Sequence, residues 1–525
     1  MQRFTLALLL LCLQLAAQNV SPDPTCVQTH CGPVTGAILP GTPSLHVWKG
    51  IPFAAPPVGE LRWMPPAAPT PWSAPRPCTN FGPECPQPAL ATAGTRPSAT
   101  QSEDCLYLNV WAQAGDPSVK RPVMVWIHGG GMVVGSGSRS FYDGAAFARA
   151  GVVLVTINYR LGPLGFFAHP ALSAAAPDGT SGNQGLKDQV AALRWVHENI
   201  GAFGGDPGNV TIFGESAGAA SVCWLLVVPE AKGLFQRAIA ESGGAARAGL
   251  LRQAGAESAG LKAQTRLGIA ADVRGPDALS QLRAKSATDL LTTFKPTIFR
   301  DQGTTFGPHV DGKFTPDAPD VLMARGAFHH VPVLIGTNSG DGSVFMPGVQ
   351  PRKPDELLGI LQGYVGSGAE TLLKLYPGVL DAEPDNTQLQ QLLTDLFFAT
   401  PARELARAIT ADNGQAWLYQ FTHVPAPLAR RTKAARHGLE IPYVFGNLPD
   451  VVARPAEQKL SELMLGTWVQ FARTGSPEGA AIQSWPAHTR ENDAYFEFAT
   501  KPRSSTGLRK IACDLIDELR RKPAR

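Results

Sequence analysis

Short, strongly apolar runs bounded by Gly, Pro, Asn or Asp recur along this chain, and longer stretches between them carry apolar residues at helical spacing. Residues 106–111, 122–127, 152–159, 209–213, 238–243, 331–336 and 416–421 have strand length and are rich in Val, Ile, Leu and aromatics. Each predicts a buried β-strand. Residues 183–200 place Leu186, Val190, Leu193, Val196 and Ile200 on one helical face and lead through Gly204-Gly205-Asp206 into the next strand. Strand, helix, strand in that order predicts a parallel sheet and an α/β fold. Residues 219–226 read as a buried helix, 354–412 as helices, 460–471 as an amphipathic helix, and the tail from Ile511 as another. Residues 246–330 read as helical patches and loops inserted over an active site. Residues 47–54 predict an edge hairpin, because Pro56, Pro57, Pro65, Pro66 and Pro69 forbid a central strand there. No internal repeat is visible.

Composition narrows the class. The chain has 525 residues, 44% hydrophobic and 17% charged, enough for a large core in one domain with insertions. Its formal net charge of +3 comes from scattered charges, which argues against a nucleic-acid or polybasic membrane footprint. Arg3 precedes an apolar run over 4–15, followed by the small residues Ala16 and Ala17. That run is too short to span a bilayer and predicts a signal peptide over residues 1–18. A lipid anchor at Cys12 is disfavoured because Leu11 before it is not small. The expected mature chain, 19–525, is then exported to a periplasm or beyond the cell, with no membrane span. It keeps seven cysteines, so at least one is free or paired between chains, and their spacing matches no zinc pattern.

Candidate chemistry centres on Gly214-Glu215-Ser216-Ala217-Gly218, between a predicted strand and a predicted helix. This G-x-S-x-G is the nucleophile elbow: the reversal is so sharp that both flanking positions must be Gly, and the Ser hydroxyl is lifted above the sheet. A second Gly-rich loop, His128-Gly129-Gly130-Gly131-Met132, follows the strand 122–127 and suits an oxyanion-hole loop. A hydroxyl needs a base, and the base needs an acid to hold its tautomer. Ser216, Asp341 and His437 follow the order Ser, acid, His of α/β-hydrolases. Spacing alone leaves competitors: Asp311, Asp395 and Glu440 as the acid, and His329, His330 and His488 as the base.

Several further stretches carry a family resemblance. They are Gly50-Ile51-Pro52-Phe53-Ala54, Ser102-Glu103-Asp104-Cys105-Leu106-Tyr107, His128-Gly129-Gly130-Gly131, Asn183-Gln184-Gly185-Leu186-Lys187-Asp188-Gln189, Ala202-Phe203-Gly204-Gly205-Asp206-Pro207, the elbow, and His437-Gly438-Leu439-Glu440. With them the chain resembles the type-B carboxylesterases of the cholinesterase/carboxylesterase superfamily, from about residue 30 to about residue 500. The resemblance implies an α/β-hydrolase fold and a secreted serine carboxylic-ester hydrolase. Ser216 is the implied nucleophile, His437 the base, and Asp341 the acid where many members carry Glu. Gly130, Gly131 and Ala217 are the implied oxyanion donors. Glu215 and Ser242 would support the triad without reacting, and Cys85 would pair with Cys105 in a disulfide. Arg62 with Glu103 and Arg160 with Asp188 would be structural ion pairs. No cofactor or metal is implied, and the partner is a small-molecule ester.

The same resemblance sets limits and alternatives. Residues 86–104 contain no aromatic residue, so the cation–π face that holds choline in cholinesterases is missing. The Gly129-Gly130-Gly131-Met132 hole is of the GGGX type, which implies room for esters of bulky alcohols. Competing readings are a specialist for one bulky natural ester (a mycotoxin side-chain or feruloyl ester), an amide or carbamate hydrolase, and, remotely, a non-catalytic neuroligin-like binding protein.

Overall fold

The computed structural model describes residues 23–41, 43–89, 100–115, 118–244, 250–296, 306–346, 354–381 and 385–521. The expected signal peptide lies outside them. An eleven-stranded sheet runs through the molecule. Its strands in chain order are β1 (Ala37–Leu39), β2 (Leu45–Pro52), β3 (Tyr107–Gln113), β4 (Arg121–Ile127), β5 (Val153–Ile157) and β6 (Gly205–Glu215). They continue with β7 (Arg237–Glu241), β8 (Val333–Asn338), β9 (Ala416–Phe421), β10 (Ala494–Phe498) and β11 (Arg503–Thr506). The spatial order is β11-β10-β9-β8-β7-β6-β4-β5-β3-β2-β1. The six pairings from β5 through β4, β6, β7, β8 and β9 to β10 are parallel, and both margins are antiparallel.

The unbroken apolar runs of the central strands follow from burial on both faces. Val123, Val125 and Ile127 of β4 pack into one core with Leu186 and Val190 of the helix α1 (Gln184–Asn199) and Val222 of α2 (Ala217–Leu225). Met124 and Trp126 of the same strand enter the opposite core, against Met464, Trp468 and Phe471 of the long helix Pro455–Thr474. A third core, built from Leu357, Leu361, Leu372, Leu392 and Ile516, joins the helices Pro354–Val365, Ala369–Leu373, Asn386–Thr394 and Lys510–Arg521. No helix among the described residues is long and apolar enough to cross a membrane.

The predicted parallel strands are all present, and differences gather at the margins. The run expected as an edge hairpin is strand β2, one place in from the edge, paired with β1 and β3. Pro56 and the later prolines come after the pairing, which ends at Pro52 opposite Tyr107. A register shift between Trp48 and Ile51 absorbs Gly50, whose φ is +72° and whose N–H donates to Asn109 Oδ1 at 2.9 Å. The edge itself is the three-residue β1. The sequence pattern does not predict strands β10 and β11: β10 alternates Phe496 and Phe498 inward with half-buried Tyr495 and Glu497, a weaker pattern than a continuous run. A separate hairpin, Cys26–Thr29 with Gly32–Thr35, sets Cys26 opposite Thr35 and leaves Cys31 in the turn. All seven cysteines among the described residues are thiols.

Candidate active site

The elbow is built by close contact between backbones. Strand β6 ends at Glu215, α2 begins at Ala217, and Ser216 between them has φ 57° and ψ −120°. An L-residue pays about 1–3 kcal/mol for such a conformation and keeps it only where its surroundings enforce it. They do so through glycines: a Cβ on Gly218 would stand 1.9 Å from Ile127 O, and one on Gly214 would stand 2.5 Å from the same oxygen. The Ser216 N–H donates to Glu241 O at 2.9 Å, tying the turn to β7. Ser216 is half-buried while Glu215 and Ala217 beside it are buried, so the side chain opens outward at the end of the sheet.

The second Gly-rich loop leaves β4 next to this turn. Gly130, Gly131 and Met132 have φ of 102°, 65° and 62°. A Cβ on Gly129 would lie 3.1 Å from Ser216 Cβ, and one on Gly130 would lie 2.1 Å from Val134 O, so side chains are excluded where backbone must approach. His128 anchors the loop: its carbonyl accepts from Tyr159 Oη at 2.9 Å and its ring stacks on Tyr159 at 4.5 Å. Burial pushes the His128 imidazole down to about 4, so it stays neutral and structural. Gln87 closes the far side, bonding the carbonyl and N–H of Gly135 at 3.0 and 2.8 Å. Met132 Sδ sits 3.8 Å from Ser221 Oγ, which donates to Ala217 O at 3.0 Å. Loop and nucleophile helix are thereby in contact.

Asp341 lies just beyond β8, and His437 on the loop after β9. Their side chains meet, with His437 Nδ1 2.8 Å from Asp341 Oδ1, while Asp341 Oδ2 accepts the Asn338 N–H at 2.7 Å. The rival acids are engaged elsewhere. Asp311 accepts from Asn183 and from the Lys313 and Thr315 N–H groups, and Asp395 accepts from Tyr376 and Arg509. Glu440 accepts from Asn338 Nδ2. The rival histidines face Val228 O (His329), Asp412 (His330) and Ala494 O (His488).

The other imidazole nitrogen, His437 Nε2, stands 3.1 Å from Glu215 Oε1, close enough for an ion pair but without hydrogen-bond alignment. Burial opposes a charge on His437. The carboxylates of Glu215, Asp341 and Glu440 outweigh it and push the imidazole up to about 9. Burial also pushes Glu215 up to about 7, with His437 pulling down and Asp341 pushing up. Glu241, next to Glu215 in register across the β6–β7 pair, is pushed up to about 8 by burial, while Trp468 Nε1 donates to its Oε1 at 2.8 Å. Ser242 is buried with φ 49°, and its hydroxyl has no hydrogen-bond partner among the described residues. The structure thus gathers Ser216, Glu215, Asp341 and His437, with Gly130, Gly131 and Ala217 beside them. Ser242 is buried one residue past Glu241.

Sequence reasoning overlooked Glu241, Asn338 and Phe398, whose ring lies 5.0 Å from His437. A charge in the apolar run Ala238-Ile239-Ala240-Glu241 was a readable signal for the first. The expected ion pairs are present: Arg62 binds both oxygens of Glu103, and Arg160 binds both of Asp188 at 2.6 and 2.8 Å. The expected Cys85–Cys105 bridge is not formed. Both residues are buried thiols in hydrogen-bond contact, which with burial holds Cys105 well above its usual range.

A parallel sheet with a serine elbow between strand and helix, and Asp and His on later loops, defines an α/β-hydrolase. Comparison with known proteins agrees: residues 23–516 match the carboxylesterase family, and the chain belongs to it. It is a carboxylic-ester hydrolase. It is similar to the para-nitrobenzyl esterase of Bacillus subtilis (strain 168), 41% identical over 484 residues that cover 89% of this chain and 93% of that one. It is also similar to the fumonisin B1 esterase of Sphingopyxis macrogoltabida, 38% identical over 511 residues covering 94% and 90%. A solved structure of a PNB esterase superposes with a TM-score of 0.81 at 37% identity, covering 94% of this chain and 99% of that one.

Proposed function

We propose that this protein is an exported serine carboxylesterase in which Ser216, His437 and Asp341 form the catalytic triad. The observation that carries the reading is the 2.8 Å contact between His437 Nδ1 and Asp341 Oδ1 beside the strained Ser216. Asp341 fixes the tautomer that leaves Nε2 free to act. As the ester carbonyl enters, Nε2 turns from Glu215 to the Ser216 hydroxyl and takes its proton while Oγ attacks carbon. Such contacts tighten when substrate binds. The N–H groups of Gly130, Gly131 and Ala217 hold the oxyanion, each donor contributing about 2.7–4 kcal/mol at the transition state. His437 then protonates the departing alcohol, activates water, and the acid is released. Glu215 stabilises the imidazolium between these steps.

Hydrolysis of p-nitrophenyl esters from acetate to decanoate, with Ser216→Ala alongside, tests this. Turnover should be lost by a factor of about 10⁶ in kcat in the variant. Turnover that survives Ser216→Ala would discard the triad. The likeness to a fumonisin B1 esterase favours a second reading, a specialist for bulky esters. Folded wild type that ignores the whole p-nitrophenyl series but cleaves fumonisin B1 or another bulky natural ester would select it.

The export reading rests on residues 1–18, with 19–525 as the mature hydrolase domain. In an oxidising compartment the adjacent Cys85 and Cys105 thiols would lose two electrons and two protons to a disulfide oxidant and form the bridge. Thiol titration of denatured protein should then find two fewer free thiols in exported than in cytosolic material. Equal counts would remove the bridge from the proposal.

A further inference from the structure

The loops that carry Asp341 and His437 are laced together. The Gly340 N–H donates to Ala435 O at 2.8 Å, and the Ala435 N–H donates to Ser339 Oγ at 3.0 Å. Asn338 Nδ2 donates to Arg436 O at 2.9 Å, and the His437 N–H donates to Ser343 Oγ at 3.1 Å. Only Gly fits at 340, where a Cβ would stand 2.8 Å from Ala434 Cβ and 3.0 Å from Ala435 O. The acid loop cannot retreat either. Behind it the helix Asn386–Thr394 receives the Gly342 N–H on Thr394 Oγ1 at 2.9 Å, and a Cβ on Gly342 would lie 2.2 Å from Gln390 O. Asp341 fills the remaining gap with both oxygens engaged and no exposed surface. A glutamate would add one C–C bond, about 1.5 Å, to a side chain with nowhere to put it.

We propose that Ser343 and Asn338 are positioning residues whose lacing of the two loops sets the length of acid the site accepts, so that Asp and not Glu supports His437. The inference rests on the triad reading above. Wild-type turnover of p-nitrophenyl butyrate and its loss in Ser216→Ala test that reading separately, before the lacing is probed. Asn338 also holds buried Glu440, so Ser343 gives the cleaner probe.

The experiment is a double-mutant cycle of Asp341→Glu and Ser343→Ala, read as kcat and KM, with thermal melts to establish folding. Asp341→Glu should lower kcat about 100-fold with KM nearly unchanged, as a displacement near 1 Å at a reacting group does. Ser343→Ala should lower kcat about fivefold in the wild-type background, and Ser343→Thr should restore it. In the Asp341→Glu background the sign should reverse: without the His437 N–H bond to Ser343 Oγ, the His437 loop can draw away from the braced acid loop and make room for the longer side chain, and kcat should rise at least about threefold. A purely structural role for Ser343 would give the same factor in both backgrounds, which would overturn the proposal. So would an Asp341→Glu enzyme within about threefold of wild type. If the Glu variant does not fold, Ser343→Ala with unchanged kcat, or loss that Thr does not restore, overturns it instead.

Discussion

The two halves of the candidate site are held by different physics. On the nucleophile side, Gly214 and Gly218 press on one carbonyl, Ile127 O, and the turn has no other shape available to it. On the acid–base side, the loops that follow β8 and β9 are joined by hydrogen bonds: Ser339 Oγ and Ser343 Oγ accept the Ala435 and His437 N–H groups, and Asn338 Nδ2 donates to Arg436 O. Steric enforcement is stiff and intolerant, because overpacked backbone has no cheap relaxation. Hydrogen-bonded lacing is weaker per contact, about 0.5–1.5 kcal/mol each, and can be tuned one bond at a time.

The sharpest way to break the comparison is Gly218→Ala. Its Cβ would sit 1.9 Å from a backbone oxygen, so the elbow must move. Activity should fall by about 10³ or more, and stability by about 3 kcal/mol, in rate assays and urea melts. Gly201→Ala is the control, because nothing lies within 4 Å of a Cβ there. If Gly218→Ala behaves like the control, the elbow is not held by sterics.

A smaller effect should sharpen the acid–base half. In the proposed triad His437 works as a base only when neutral, and Glu215, Asp341 and Glu440 favour its charged form, so kcat/KM should climb with pH through a titration at about 9. Glu215→Gln removes the negative charge facing Nε2. The imidazolium is then less stable, and the rising limb should move to lower pH by about one unit, in a pH–rate profile. A limb that stays in place would show that Glu215 does not set the basicity of His437.

The same contrast explains what was legible in the sequence. The elbow could be read because its geometry forbids most residues at fixed spacing, and the strands β4 to β9 because burial on both faces leaves continuous apolar runs. Asp341 could be proposed from its place after a strand, and the structure brings it to His437 across 96 positions of chain. Its partners could not. Ser343 and Asn338 are ordinary loop residues whose hydrogen bonds span nearly a hundred residues, and no local pattern requires them. The margins failed for a related reason: β1 has three residues and β10 has a half-charged alternation, so neither outweighs loop. Spacing alone could not choose between Asp341 and Glu440; the family resemblance points to Asp341, and of these two buried carboxylates it is the one that faces Nδ1.

The third hydrophobic core has a consequence for anyone who would recombine this enzyme with its relatives. The helix Asn386–Thr394 that braces the acid loop shares its core with the helix Lys510–Arg521, and Asp395, at the end of that brace, is gripped by Arg509 Nη2 at 2.6 Å. Residues 354–399 and 509–521 therefore behave as one inheritable cassette, although more than a hundred positions separate them. A chimera that exchanges either piece alone would carry an intact sheet and an intact elbow, with a poorly seated Asp341.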